Sequence, residues 1–137
     1  MNLSNYMVWL IFFSFPVLVT AQETAIHPID LALQKCLQKE KATMPRAKCY
    51  STASEAWQKA VPDDYQKLLP QLSSELQLIL KEEQSLWDKF REASEKFVIA
   101  KYGKRKGTGY ISVRIIELMK PYKERALELE SRFEQNP

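Results

Sequence analysis

The sequence predicts an all-α domain, a small antiparallel bundle of one short and three longer helices. Three observations carry this. Beyond residue 21, apolar residues recur at spacings of three to five, and no stretch shows the alternation of a strand. All three glycines fall between Gly103 and Gly109, so the chain has one flexible turn and otherwise little to interrupt helices. The 116 residues after position 21 include 47 apolar and 37 charged ones, an ordinary soluble composition with enough chain for one core. A length of 137 leaves room for a single domain, and a net charge of +3 is too small to imply nucleic acid.

Residues 1–21 read as a signal peptide. The competing reading is a membrane anchor, but the apolar run from Tyr6 to Val19 is 14 residues long and broken by Pro16, short for a bilayer core of ~30 Å. Val19-Thr20-Ala21 supplies small residues for cleavage before Gln22, and no lipidation cysteine follows. Residues 22–137 then form one exported, periplasmic or secreted domain.

Pro28 suits the first turn of a helix running to about Ala42. Thr43 is placed to cap a second helix, whose apolar positions include Cys49, Ala53, Trp57, Ala60 and Leu68. Pro62 interrupts that pattern and predicts a kink or a restart near Asp63. Pro70 and Ser73-Ser74 mark the next break, with a serine as cap. The third helix carries Leu76, Ile79/Leu80, Leu86/Trp87, Phe90 and Phe97 as one stripe and ends near Tyr102. After the glycine-rich turn, a fourth helix carries Ile111, Ile115, Met119, Tyr122, Ala126, Leu129 and Phe133, with a bend expected at Pro121.

In an oxidising compartment Cys36 and Cys49 are expected to pair. Their midpoint falls beside Thr43-Met44-Pro45, so a helical hairpin folding back there sets both thiols at similar heights. Two cysteines and one distant histidine cannot build a zinc site, and no CxxC motif supplies redox chemistry.

Catalytic chemistry finds no foothold. His27 is the only imidazole and sits near the start of the mature chain, where an exposed, poorly fixed side chain is expected. Glu82, Glu83, Glu92, Glu95 and Glu117 read as solvated helix faces, and no Glu-x-x-His motif offers metal ligands. No catalytic, cofactor or metal residue is therefore assigned, and the chain reads as a non-enzyme. Lys101, Lys104, Arg105 and Lys106 concentrate four positive charges at the glycine-rich turn. They form either a solvated turn or a contact for anionic wall polymer, a membrane surface or an acidic protein. Trp57 and Trp87 lie on apolar stripes and are expected in the core.

The chain carries, in order, His27-Pro-Ile-Asp30, Lys35-Cys36-Leu37, Lys48-Cys49-Tyr50 and Ala56-Trp57, then Gln84-x-x-Trp87-x-x-Phe90-Arg91-x-Ala93 and Arg125-Ala126-Leu127-Glu128-Leu129-Glu130. Together these blocks resemble the LprI-type lysozyme inhibitor domain. The resemblance spans residues 27–131. It implies an exported helical domain bridged by Cys36–Cys49 in a family whose characterised activity is inhibiting lysozyme, with Trp57, Gln84, Trp87, Phe90 and Arg91 as motif positions. Members usually carry an acidic residue and a Leu-Asn pair after the second-helix tryptophan, where this chain has Gln58 and Val61-Pro62. Arg91 is expected in an internal salt bridge. Two functions follow: an inhibitor binding lysozyme through the third and fourth helices, or an envelope accessory module, for another envelope protein or anionic surface, acting through the basic turn.

Overall fold

The computed structural model describes residues 26–135. The expected signal peptide lies outside the described residues. Within them the chain forms α1 (Pro28–Lys39), α2 (Thr43–Leu68), a 3-10 turn (Leu69–Gln71), α3 (Ser74–Tyr102) and α4 (Gly109–Glu134), with no strand. No described helix is long and apolar enough to cross a membrane.

Local chemistry sets most of the helix ends. The Nδ1 of His27 accepts the Ile29 amide at 3.2 Å, capping α1, and Pro28 fills the first position, where no amide bond is lost. α1 stops at Lys39 rather than Ala42, because Glu40 is extended and Arg46 reaches back to the carbonyls of Leu37 and Glu40 at 3.1 and 3.3 Å. Thr43 does not cap α2; it is the first helical residue, and Ala42 holds the cap position without a side-chain bond. A Thr43 cap would have found no N–H at Pro45, and the Arg46 amide is already given to the Ala42 carbonyl. Ser73 caps α3, accepting the Leu76 amide at 3.3 Å.

Pro62 neither breaks nor restarts α2, which runs on for six residues beyond it. Val61 and Leu68, on either side, are both buried, and their packing holds the helix through the missing bond. α4 is likewise continuous through Pro121.

Consecutive helices run antiparallel, so α2 and α4 run the same way. Trp57 lies beneath Lys123, and Asp64 and Lys67 line a cleft with Glu130 and Phe133, which fixes that parallel register. The core sits mainly between these two helices: Ala53, Trp57, Val61 and Leu68 of α2 against Met119, Ala126 and Leu129 of α4, joined at one end by Leu80 of α3. Trp57, Leu68 and Leu129 are the largest fully buried side chains. α1 and α3 flank this pair on opposite partners, α1 on α2 and α3 on α4.

α1 has no fully buried residue; Ile29 and Leu33 rest half-buried on the core. The Cys36–Cys49 disulfide closes the hairpin with its Cα atoms 5.8 Å apart. Lys123 bridges to Asp30 at 2.6 Å, and His27 stacks on Trp57 with ring centroids 4.3 Å apart. Closing a loop of this size contributes ~3 kcal/mol in the chain-entropy picture. Replacing both cysteines by serine should therefore cost about 3 kcal/mol in urea denaturation, with amide exchange in α1 accelerating before that in α2 or α4.

Candidate functional site

α3 is fastened to α4 by three polar rungs. At the first, Glu83 accepts from Arg125 at 2.7 Å and from Arg132 at 2.8 and 3.0 Å, while Gln84 accepts the Arg125 Nε at 3.1 Å. Arg125 is only 2% exposed, so these acceptors replace water for a buried charge. The hydrogen bond from Arg132 holds the Glu83 carboxyl below its ordinary value, with Arg125 adding to the effect against the opposing pull of burial.

The second rung is aromatic and ionic. Trp87 meets Tyr122 edge-on with centroids 5.8 Å apart, and the Arg91 guanidinium lies 5.9 and 5.7 Å from the two rings. Arg91 donates to Glu95 at 3.0 Å, and the Tyr122 hydroxyl donates to the same carboxylate at 2.6 Å. Burial, then the Glu95 hydrogen bond, pushes the Tyr122 phenol upward. In the third rung Lys101 bridges to Glu117 at 2.9 Å, and the Tyr102 hydroxyl donates to the same carboxylate. Those two bonds, Tyr102 first, hold Glu117 below its ordinary value.

Attachment by this polar seam divides the apolar stripe that the sequence places in the core. Leu80 and Val98 turn inward and are buried, with Trp87 half-buried between them. Ile79, Leu86, Phe90 and Phe97 point outward and are 52, 58, 59 and 66% exposed. An open groove of about 620 Å³ runs between α3 and α4, with Phe90 and Phe97 on one wall and Pro121 and Glu124 on the other, closed at one end by Lys101 and Glu117.

The residues singled out from sequence separate accordingly. Trp57 is core, beneath His27 and Lys123. Gln84, Trp87 and Arg91 belong to the seam, and Arg91 makes the internal bridge expected of it. Phe90 alone of the motif positions faces solvent. Lys101 is tied to Glu117 and stands apart from the exposed Lys104, Arg105 and Lys106, of which Arg105 lies over the Tyr110 ring at 5.4 Å. Glu83 and Glu95 are internal acceptors, not parts of a solvated face. His27 is not a loose terminal side chain: it caps α1, stacks on Trp57 and approaches Glu130 at 3.6 Å. Pro28 was the signal for that cap, since proline favours the first helical position. The Glu83–Arg125 pair, 42 residues apart, has no local signature.

The family described as lysozyme inhibitor LprI matches residues 35–129, taking in both cysteines and every residue of the α3–α4 seam except Arg132. The chain belongs to the LprI family. Its members are described as inhibitors rather than enzymes, and the Cys36–Cys49 bridge suits an oxidising compartment. The fold is similar to that in a crystal structure of an uncharacterized protein from Burkholderia thailandensis, with a TM-score of 0.74 and 28% identity over 80% of this chain. The match spans 55% of that protein's length. No curated protein matches the chain.

Two measurements separate seam from surface. In urea denaturation, Trp87→Ala should cost roughly 3 kcal/mol, whereas Phe90→Ser should stay within about 0.5 kcal/mol of the parent. Because the folded Glu83 carboxyl titrates below its ordinary value of 4.5, its stabilisation is present above that pH and is lost as the pH falls through the lower folded value. Glu83→Gln should be less stable than the parent at pH 7, and the gap should narrow below pH 4.5.

Proposed function

We propose that the protein is exported and acts as a non-enzymatic inhibitor of lysozyme, binding through the α3–α4 hairpin. The family match over residues 35–129 carries this reading. The geometry supports it, because α3 and α4 present the apolar wall of Phe90 and Phe97 beside the exposed carboxylate of Glu124. C-type lysozymes are strongly basic, while this chain has a net charge of +3, so long-range attraction does not favour the complex. Asp88 and Glu92 on α3 lie 3.7 and 3.8 Å from Arg91 and are partly neutralised by it. Apolar contact, rimmed by a few carboxylates, is the stronger basis for recognition here.

The basic turn supports a second reading, an envelope module held to an anionic polymer, lipid surface or acidic protein. Lys104 and Lys106 are exposed and make no ion pair among the described residues. Neutralising Lys104, Arg105 and Lys106 together would then abolish retention on the envelope without changing helicity.

Protein from Gln22 onward, oxidised, titrated into c-, g- and i-type lysozymes tests the inhibitor reading. Saturable loss of muramidase activity near one-to-one is the expected result, and Phe97→Ser should weaken it by about tenfold or more. Absence of both inhibition and complex with all three types would sink it and leave the basic turn as the site.

A further inference from the structure

The outer edge of α3 carries a charge pattern that neither the seam nor the groove uses. Glu75, Glu82, Lys89 and Lys96 are spaced seven residues apart, so they form one row along the helix. All four are exposed, and the row is acidic in its first half and basic in its second. Beside it lie the outward-facing Ile79 and Leu86, also seven residues apart, and Phe90 one turn further on. α3 packs on α4 along one side only, which leaves this side open along the helix.

The pattern is complementary to itself when reversed. Two α3 helices laid antiparallel, with a two-fold axis beside Ser85 and Leu86, set Glu82 opposite Lys89 of the second copy. The same axis sets Glu75 opposite Lys96, and each pair occurs twice by symmetry. In that register Ile79 lies within one helical turn of Phe90 of the second copy, and Leu86 lies beside its own counterpart near the axis. Parallel pairing would instead set Glu against Glu and Lys against Lys, which disfavours it. The exposed apolar side chains, with the stems of the flanking Glu and Lys, form a face suited to a small, weak interface.

We propose that the protein forms a two-fold homodimer through this outer face of α3, the two helices antiparallel. The proposal does not rest on lysozyme binding. Phe90 belongs to both surfaces, so a bound enzyme and a second copy would compete for it.

Sedimentation equilibrium of the exported protein, expressed as the full chain with its disulfide intact, tests the pairing. The expected result is a dimer at ~100 μM that weakens as salt rises. Leu86→Glu should give a monomer with unchanged helicity and melting temperature, since Leu86 is more than half exposed. Glu82→Lys should weaken association by about tenfold, and adding Lys89→Glu to it should restore the parent value, because the two reversed charges again face each other. A parent protein monomeric up to ~1 mM would overturn the proposal. So would a dimer indifferent to Leu86→Glu, or a charge reversal that the second substitution fails to rescue.

Discussion

Everything in this molecule is arranged around the parallel contact of α2 with α4. These helices are not joined by a hairpin; α3 lies between them in sequence, yet they share the one apolar core, built on Trp57, Leu68, Met119 and Leu129. Two helices in contact bury one stripe each, so the outer elements must attach to whatever the pair leaves over. α1 attaches by a covalent bridge and a few half-buried side chains. α3 attaches through charges and rings.

That second attachment decides which surface the protein shows. Glu83 and Glu95 of α3 accept from groups on α4, and Glu117 of α4 accepts from Lys101 and Tyr102 of α3. The side of α3 turned to its neighbour is therefore substantially polar. A helix with apolar residues on a broad arc and a polar seam on part of it must expose some of the arc. Ile79, Leu86, Phe90 and Phe97 are that remainder. Burying Arg125 commits Glu83 and Gln84 of α3, with Glu128 of α4, to one guanidinium; the two bonds to α3 are directional and fix its rotation about its axis where apolar packing would tolerate sliding.

Much of this was legible in the sequence, and the boundary is physical. Helix number, the breaks at Pro70 and the glycine-rich turn, a serine cap at Ser73-Ser74 and the cysteine pairing all follow from local chemistry, and the structure shows them, with Ser73 as the cap. At Pro62 the restart does not occur, because local sequence registers the missing hydrogen bond but not the burial of Val61 and Leu68 that compensates for it. Helical periodicity reports how wide the apolar arc of α3 is, not which part meets a neighbour. That choice is made by Arg125 and Tyr122, which are 27 to 42 residues distant from their α3 partners. The motif positions show the same division: Trp57, Gln84, Trp87 and Arg91 hold the fold, and Phe90 is free to contact something else.

The parallel pairing of α2 with α4 also bears on how the chain reaches this state. A bundle whose core lies within helical hairpins gains its first apolar contacts from short loops. Here the principal core contacts join segments separated by the whole of α3, so a long stretch of chain must be closed before they form. The two hairpins can assemble early, but each alone has little to bury. Acquisition of the native core should consequently be a late and cooperative step, slower than is usual for an all-helical domain of this size.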